Sequence, residues 1–149
     1  MTTFEKSIDI DVPVSTAYNQ WTQFEQFPQF MEGVQEVRQL DDRRLHWVVD
    51  VAGTREEWDA MITRQEPDRC IAWESEAGTP NRGMVTFQPL ESGKTRVTLE
   101  MEYEPSEVIE KVGDALGFVS RRVTGDLERF KEFIEGRGLE TGAWRGVIR

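Results

Sequence analysis

The stretch "LHWVVDVAGTREEWDAMI", residues 45–62, carries the single histidine of the chain, His46, together with Glu56 and two of its five tryptophans. A histidine titrates near neutral pH and can serve as a general base if a nucleophile or substrate proton lies within reach. A glutamate turned into an apolar interior has its pKa raised and can pass a proton to a substrate. Glu56 is therefore one candidate acid or base and Tyr103 a second, with Ser75 and Arg64 as further polar groups near the same face. Cys70, the only cysteine, sits among apolar residues and reads as a small strand residue rather than a nucleophile. A lone cysteine excludes an intrachain disulfide and a cysteine-built zinc site. No HExxH, CxxC, GxGxxG, phosphate-loop or GxSxG pattern occurs, so nothing points to a metal, a cofactor, a nucleotide or serine-hydrolase chemistry.

Which of these groups face inward depends on strand register. Gly53-Thr54 suits a two-residue turn with glycine first. It would pair Ala52 with Arg55 and, counting outward, Val51 with Glu56, Val49 with Trp58, Trp47 with Ala60 and Leu45 with Ile62. His46 then falls opposite Met61 on the other, mostly polar face. A slip of one residue would exchange the two faces, so a buried core selects between them. The turns at Pro67-Asp68 and Glu91-Ser92-Gly93 set Trp73 opposite Ile62, Ser75 opposite Ala60, Phe87 opposite Val97 and Val85 opposite Leu99. One inner face results, carrying Trp47, Val49, Trp58, Trp73, Phe87, Leu99, Met101 and Tyr103. His46 is expected outside, with no carboxylate partner, which argues against a general base.

These strands belong to a longer order of elements. "FEKSIDIDVP" alternates as a first strand, and "PVSTAYNQW" reads as a short helix opening at Pro13. "QFEQFPQFMEG" packs aromatics around Pro28 as a second short helix closing on Gly33. Period-two segments follow at 34–40, 44–52, 55–66, 70–77, 83–90 and 94–104, joined by short connections and therefore antiparallel. After Pro105 a helix is expected from Ser106 to about Gly136. Val112, Leu116, Val119, Val123, Leu127, Phe130 and Ile134 form its apolar stripe. Gly113 and Gly117 lie one turn apart in its first half, where missing side chains would leave room for a cavity or allow close helix–sheet approach.

The length of 149 residues suits one domain, here residues 1–136, followed by a tail, 137–149, that either moves freely or docks through Trp144 and Ile148. The net charge of −10 opposes nucleic acid and anionic membranes. There is no apolar run of membrane-spanning length and no secretory leader, so the cytoplasm is the expected compartment. Oligomeric state is not legible.

The order of strand, two short helices, six further strands and a long helix resembles the START-like, helix-grip superfamily, in particular its polyketide cyclase/dehydrase and coenzyme-Q-binding branch. The matching segments are "IDIDVPVSTAYNQWTQFEQFPQFMEGVQEV", "REEWDAMI", "RCIAWES", "GMVTFQPLESGKTRVTLEMEYEP" and the helix from "EKVGDALG" to "RFKEFI", spanning residues 4–135. The resemblance implies an α+β fold: a seven-stranded curved antiparallel sheet wrapped around the long C-terminal helix. It also implies a cavity between them for an apolar small molecule such as a lipid, quinone or polyketide. The expected lining is Trp47, Val49, Trp58, Trp73, Phe87, Leu99, Met101, Tyr103, Val112, Gly113, Leu116 and Gly117, around a volume of about 300 Å³ or more. Carriage of such a ligand is the first expectation. Cyclase or dehydratase chemistry through Glu56 and Tyr103 is the alternative.

Overall fold

The computed structural model describes residues 2–51, 53–78, 80–104 and 115–149. Seven antiparallel strands form one curved sheet: β1 (Thr2–Ile10), β2 (Val34–Gln39), β3 (Arg44–Val51), β4 (Thr54–Glu66), β5 (Cys70–Gly78), β6 (Asn81–Pro89) and β7 (Thr95–Tyr103). Their spatial order is β1-β7-β6-β5-β4-β3-β2, so only the first strand is out of sequence order. Helix α1 (Val14–Trp21) and a 3₁₀ helix (Phe24–Gln29) connect β1 to β2. The long helix α2 is described over Ala115–Arg137 and lies in the grip of the sheet. Its expected beginning at Ser106 lies outside the described residues.

The α2 stripe is buried as the 3.6-residue period predicts, through Val119, Val123, Leu127, Phe130 and Ile134. Gly138, at φ +73°, ends the helix, its N–H bonding Ile134 O at 2.9 Å. The core is unequal along this helix. At one end aromatic rings fill it: Trp21 lies 4.9 Å from Phe130, Tyr18 5.4 Å from Phe87, and Phe30 5.2 Å from Phe130, all edge-to-face. At the other end sheet and helix stand apart.

The register of β6 with β7 is the expected one, with Phe87 opposite Val97 and Val85 opposite Leu99. Ile62 faces Trp73 and Ala60 faces Ser75, also as expected, although a bulge at Thr63 intervenes. It compensates for a three-residue loop, Pro67–Arg69, in which Asp68 takes φ +63°. The β3–β4 register differs from expectation by two residues. Val51 pairs Thr54, and Gly53, directly before Thr54, takes φ +86°. Trp47 then faces Trp58, Val49 faces Glu56, and His46 faces Asp59 rather than Met61. A two-residue shift leaves every side chain on its expected face.

The segment 138–149 docks on the body. Thr141 and Gln20 exchange two hydrogen bonds, and Ile148 and Gln65 exchange two through their main chains. Arg145 makes a paired contact with Asp68 and lies over the Tyr18 ring.

Candidate functional site

Where the sheet and α2 separate lies a cavity of 230 Å³. This is smaller than the 300 Å³ expected, yet larger than a 150 Å³ apolar cavity of the kind that admits benzene. It has room for a ligand of about two fused rings. Its far wall is β3 and β4, where Trp47 and Trp58 stack at 5.7 Å with their planes 13° apart. That pairing follows from the register, which sets the two indoles directly opposite. Phe27, Met31, Leu99 and Met101 also line the cavity.

Of the residues predicted to line it, Trp47, Val49, Trp58, Trp73, Leu99, Met101 and Tyr103 face this space. Phe87 does not: it sits on the inner face but at the packed end, against Tyr18 and Trp21. Val112, Gly113 and the side chain of Leu116 lie outside the described residues, and Gly117 stands in the first described turn of α2. Glu56 borders the cavity, while Ser75 serves the main chain by accepting the Asn81 N–H at 3.0 Å. Arg64 points away and pairs with Glu66 on the surface. Cys70 is buried, and burial pushes its thiol pKa up, which suits a structural residue.

His46 is outside, as expected, but it has partners. Its Nδ1 lies 2.6 Å from Asp59 Oδ1 and its Nε2 3.1 Å from Glu57 Oε1. The two carboxylates raise its pKa, the Asp59 bond most. The cluster faces away from the cavity, so it has no access to a bound molecule.

The polar groups of the cavity fall at two poles. At one, the Trp73 indole N–H donates to Asn81 Oδ1 at 3.0 Å, next to buried Tyr103. Gly83 makes this possible, because a Cβ there would stand 2.8 Å from the Trp73 ring. At the other pole are Glu32, Glu56, Arg122 and Asp126. Neither Arg122 nor Asp126 is among the residues that the sequence pattern points to as site candidates. They lie four residues apart along the flank of the α2 stripe, next to Gly125.

These helix side chains hold the loop that follows the 3₁₀ helix by its main chain. Arg129 Nε donates to Phe30 O at 2.9 Å, and the Glu32 N–H donates to Asp126 Oδ1 at 2.8 Å. Arg122 Nη1 donates to Glu32 O at 3.1 Å and Asp50 O at 3.2 Å, with the guanidinium over the Phe118 ring. Burial pushes the Asp126 pKa up to about 6, although Arg129 and the Glu32 N–H pull against it. Asp126 thus titrates near neutrality and faces an apolar space.

Residues 10–132 match the model of a family described as polyketide cyclase/dehydrase and lipid transport. The chain belongs to that family. A 17.2 kDa protein encoded in the melC2–rnhH intergenic region of Streptomyces lincolnensis is 54% identical over 99% of both chains. Among solved structures, the Zhui aromatase/cyclase from Streptomyces sp. R1128 matches with a TM-score of 0.78 at 17% identity, over 96% of this chain and 99% of that one. A START superfamily protein from Mycobacterium smegmatis matches with a TM-score of 0.67 at 16% identity, over 85% and 97%. At such identities the likeness establishes the helix-grip fold that the family shares. Membership supports binding of a hydrophobic molecule or cyclase-type chemistry and does not choose between them. Among the described residues no helix is long and apolar enough to cross a membrane.

Proposed function

We propose that the protein binds a compact, flat, hydrophobic molecule of about two fused rings between its sheet and long helix. The observation that supports this is the 230 Å³ cavity walled by the stacked Trp47 and Trp58. Parallel indoles offer a plane on which a ring can lie, and a cavity of this volume suits a compact ligand. Native mass spectrometry of the purified protein should show an aromatic small molecule, and equilibrium dialysis should show binding of bicyclic aromatics that Trp58→Ala weakens. A protein that takes up long-chain lipids and ignores bicyclic aromatics would refute the proposal.

Cyclase or dehydratase chemistry is the second reading, favoured by one observation. Asp126 borders the cavity with a pKa of about 6, which suits a group that both gives and takes a proton near neutral pH. Asp126 rather than Glu56 or Tyr103 is then the residue to test. An activity on a polyketone probe that follows a pKa near 6 and vanishes in Asp126→Asn would support catalysis. Unchanged turnover in that variant would remove it.

A further inference from the structure

Between the 3₁₀ helix and β2 the cavity is bounded by a short irregular segment, residues 31–33. Met31 and Glu32 border the cavity, yet the Glu32 side chain is 67% exposed, so this wall is a single thickness of chain between cavity and water. Both ends of the segment are fixed. The Phe30 ring packs on Phe130 and Phe133 at 5.2 and 5.3 Å, and Val34 pairs with Val49 in the sheet. Between those ends Gly33 O accepts the Asp50 N–H at 2.7 Å, and α2 holds the rest of the main chain by side chains. Arg129 donates to Phe30 O, Arg122 donates to Glu32 O, and Asp126 accepts the Glu32 N–H. Ladder bonds fix the strands around the cavity, whereas this wall depends on three side chains and can open without disturbing the sheet.

We propose that Asp126 is a proton-controlled latch: carrying its proton it keeps residues 31–33 closed on α2, and on losing it lets them swing out and widen the cavity. The Asp126 side chain is 15% exposed, and its Oδ1 accepts both the Glu32 N–H at 2.8 Å and Arg129 Nη2 at 2.6 Å. A proton on Oδ2 leaves both bonds in place, whereas ionisation puts a charge where little water reaches. The other charged groups here balance one another. Arg122 and Arg129 stand on α2, the Glu32 carboxylate lies 3.6 Å from Arg129, and Glu56 of β4 borders the same cavity. Asp50 of β3 presents its carbonyl to Arg122, while its carboxylate accepts the Gly53 N–H. Burial outweighs the pull of the two arginines and holds Asp126 at about 6, and release into water returns it towards 3.8. The open form therefore binds the proton more weakly, so rising pH favours opening.

Amide hydrogen exchange of the full chain, followed by NMR, tests the latch without any ligand. Between pH 5 and pH 8 the protection of the Glu32 amide, corrected for intrinsic exchange, should fall about tenfold, the change set by the two proton affinities. In Asp126→Asn, which keeps an acceptor for that amide, protection should not vary with pH. Glu32→Gln, which removes the charge of the segment itself, should leave the fall in place. The Glu32 amide should also exchange much faster than that of Val97, fully buried in β7 between β1 and β6, since the segment opens while the fold stays closed. Protection that rises with pH would mean that the ion pair with Arg129 tightens the latch on ionisation, and it would overturn the inference. So would a fall that survives Asp126→Asn, a fall that disappears in Glu32→Gln, or a Glu32 amide as slow as that of Val97. The outcome is independent of whether the cavity binds a bicyclic aromatic.

Discussion

His46 and Asp59 stand directly opposite each other on the outer face of the β3–β4 pair, with Nδ1 and Oδ1 2.6 Å apart. Glu57 holds the other ring nitrogen, so both N–H groups of an imidazolium have acceptors. The folded protein therefore binds a proton on His46 more tightly than the unfolded chain, whose histidine titrates at about 6.5. The stabilisation is complete below that value and is lost as pH rises through the higher folded pKa. Denaturation midpoints followed above pH 6 should fall with rising pH, and His46→Gln should remove that part of the decline. An NMR titration placing the His46 pKa below 6.5 would contradict the assignment.

The faces of the sheet were legible in the sequence because side chains alternate strictly, and one-residue slips would bury Asp50, Glu57 and Asp59. The β3–β4 register was not legible. A shift by two residues keeps the faces, and Gly53 supplies a positive φ whether it comes first or second in the turn. Alternation therefore puts His46 outside but does not say that Asp59 stands opposite it. Phe87 shows a related limit. Alternation tells in from out but not which end of the helix a strand position meets, and α1 packs over the Phe87 end of β6. Asp126 was hidden for a third reason. Part of its environment comes from Glu32, 94 residues away in sequence, and no local pattern announces burial of this kind.

Asp126 should make stability depend on pH in a second window. Its folded pKa of about 6 lies above the unfolded value of 3.8, so folding takes up a proton between the two. The contribution is complete below pH 3.8 and is lost as pH rises through about 6. Asp126→Asn imitates the protonated form and keeps an acceptor for the Glu32 N–H. It should be neutral near pH 4 and stabilising above pH 7 by on the order of 2 kcal/mol. Urea denaturation of the pair at both pH values checks the sign. Destabilisation at pH 8 would mean that the ion pair with Arg129, 2.6 Å away, outweighs burial.

Gly33 sits at φ +85°, and an added Cβ would meet both Arg122 Nη1 and Asp50 O, the latter at 2.8 Å. Gly33→Ala should therefore cost about 2 kcal/mol or more, through backbone strain and displacement of the guanidinium. Combining it with Arg122→Ala removes one clash and leaves the other two causes. The double variant should then be less destabilised than the sum of the single changes, a coupling that denaturation of all four proteins measures.

The docked C-terminal segment predicts what truncation does. Ile148 is 3% exposed, and its main chain bonds Gln65 in both directions at 2.8 and 2.9 Å. Arg145 holds Asp68 at 2.9 and 3.0 Å, and it bonds Asn19 of α1 at 2.7 Å. These groups are already satisfied within the chain, so the segment acts as a strap across α1, the helix that supplies Trp21 to the cavity wall. Deleting residues 139–149 should lower stability by at least about 2 kcal/mol, the burial of one isoleucine plus the lost bonds. It should also weaken binding of a cavity ligand, because α1 then loses its outer support. Truncation that leaves stability and ligand affinity unchanged, yet abolishes a complex with another protein, would make the segment an interaction arm instead. Arg145→Ala separates the two cases further, since a strap loses stability from that change alone.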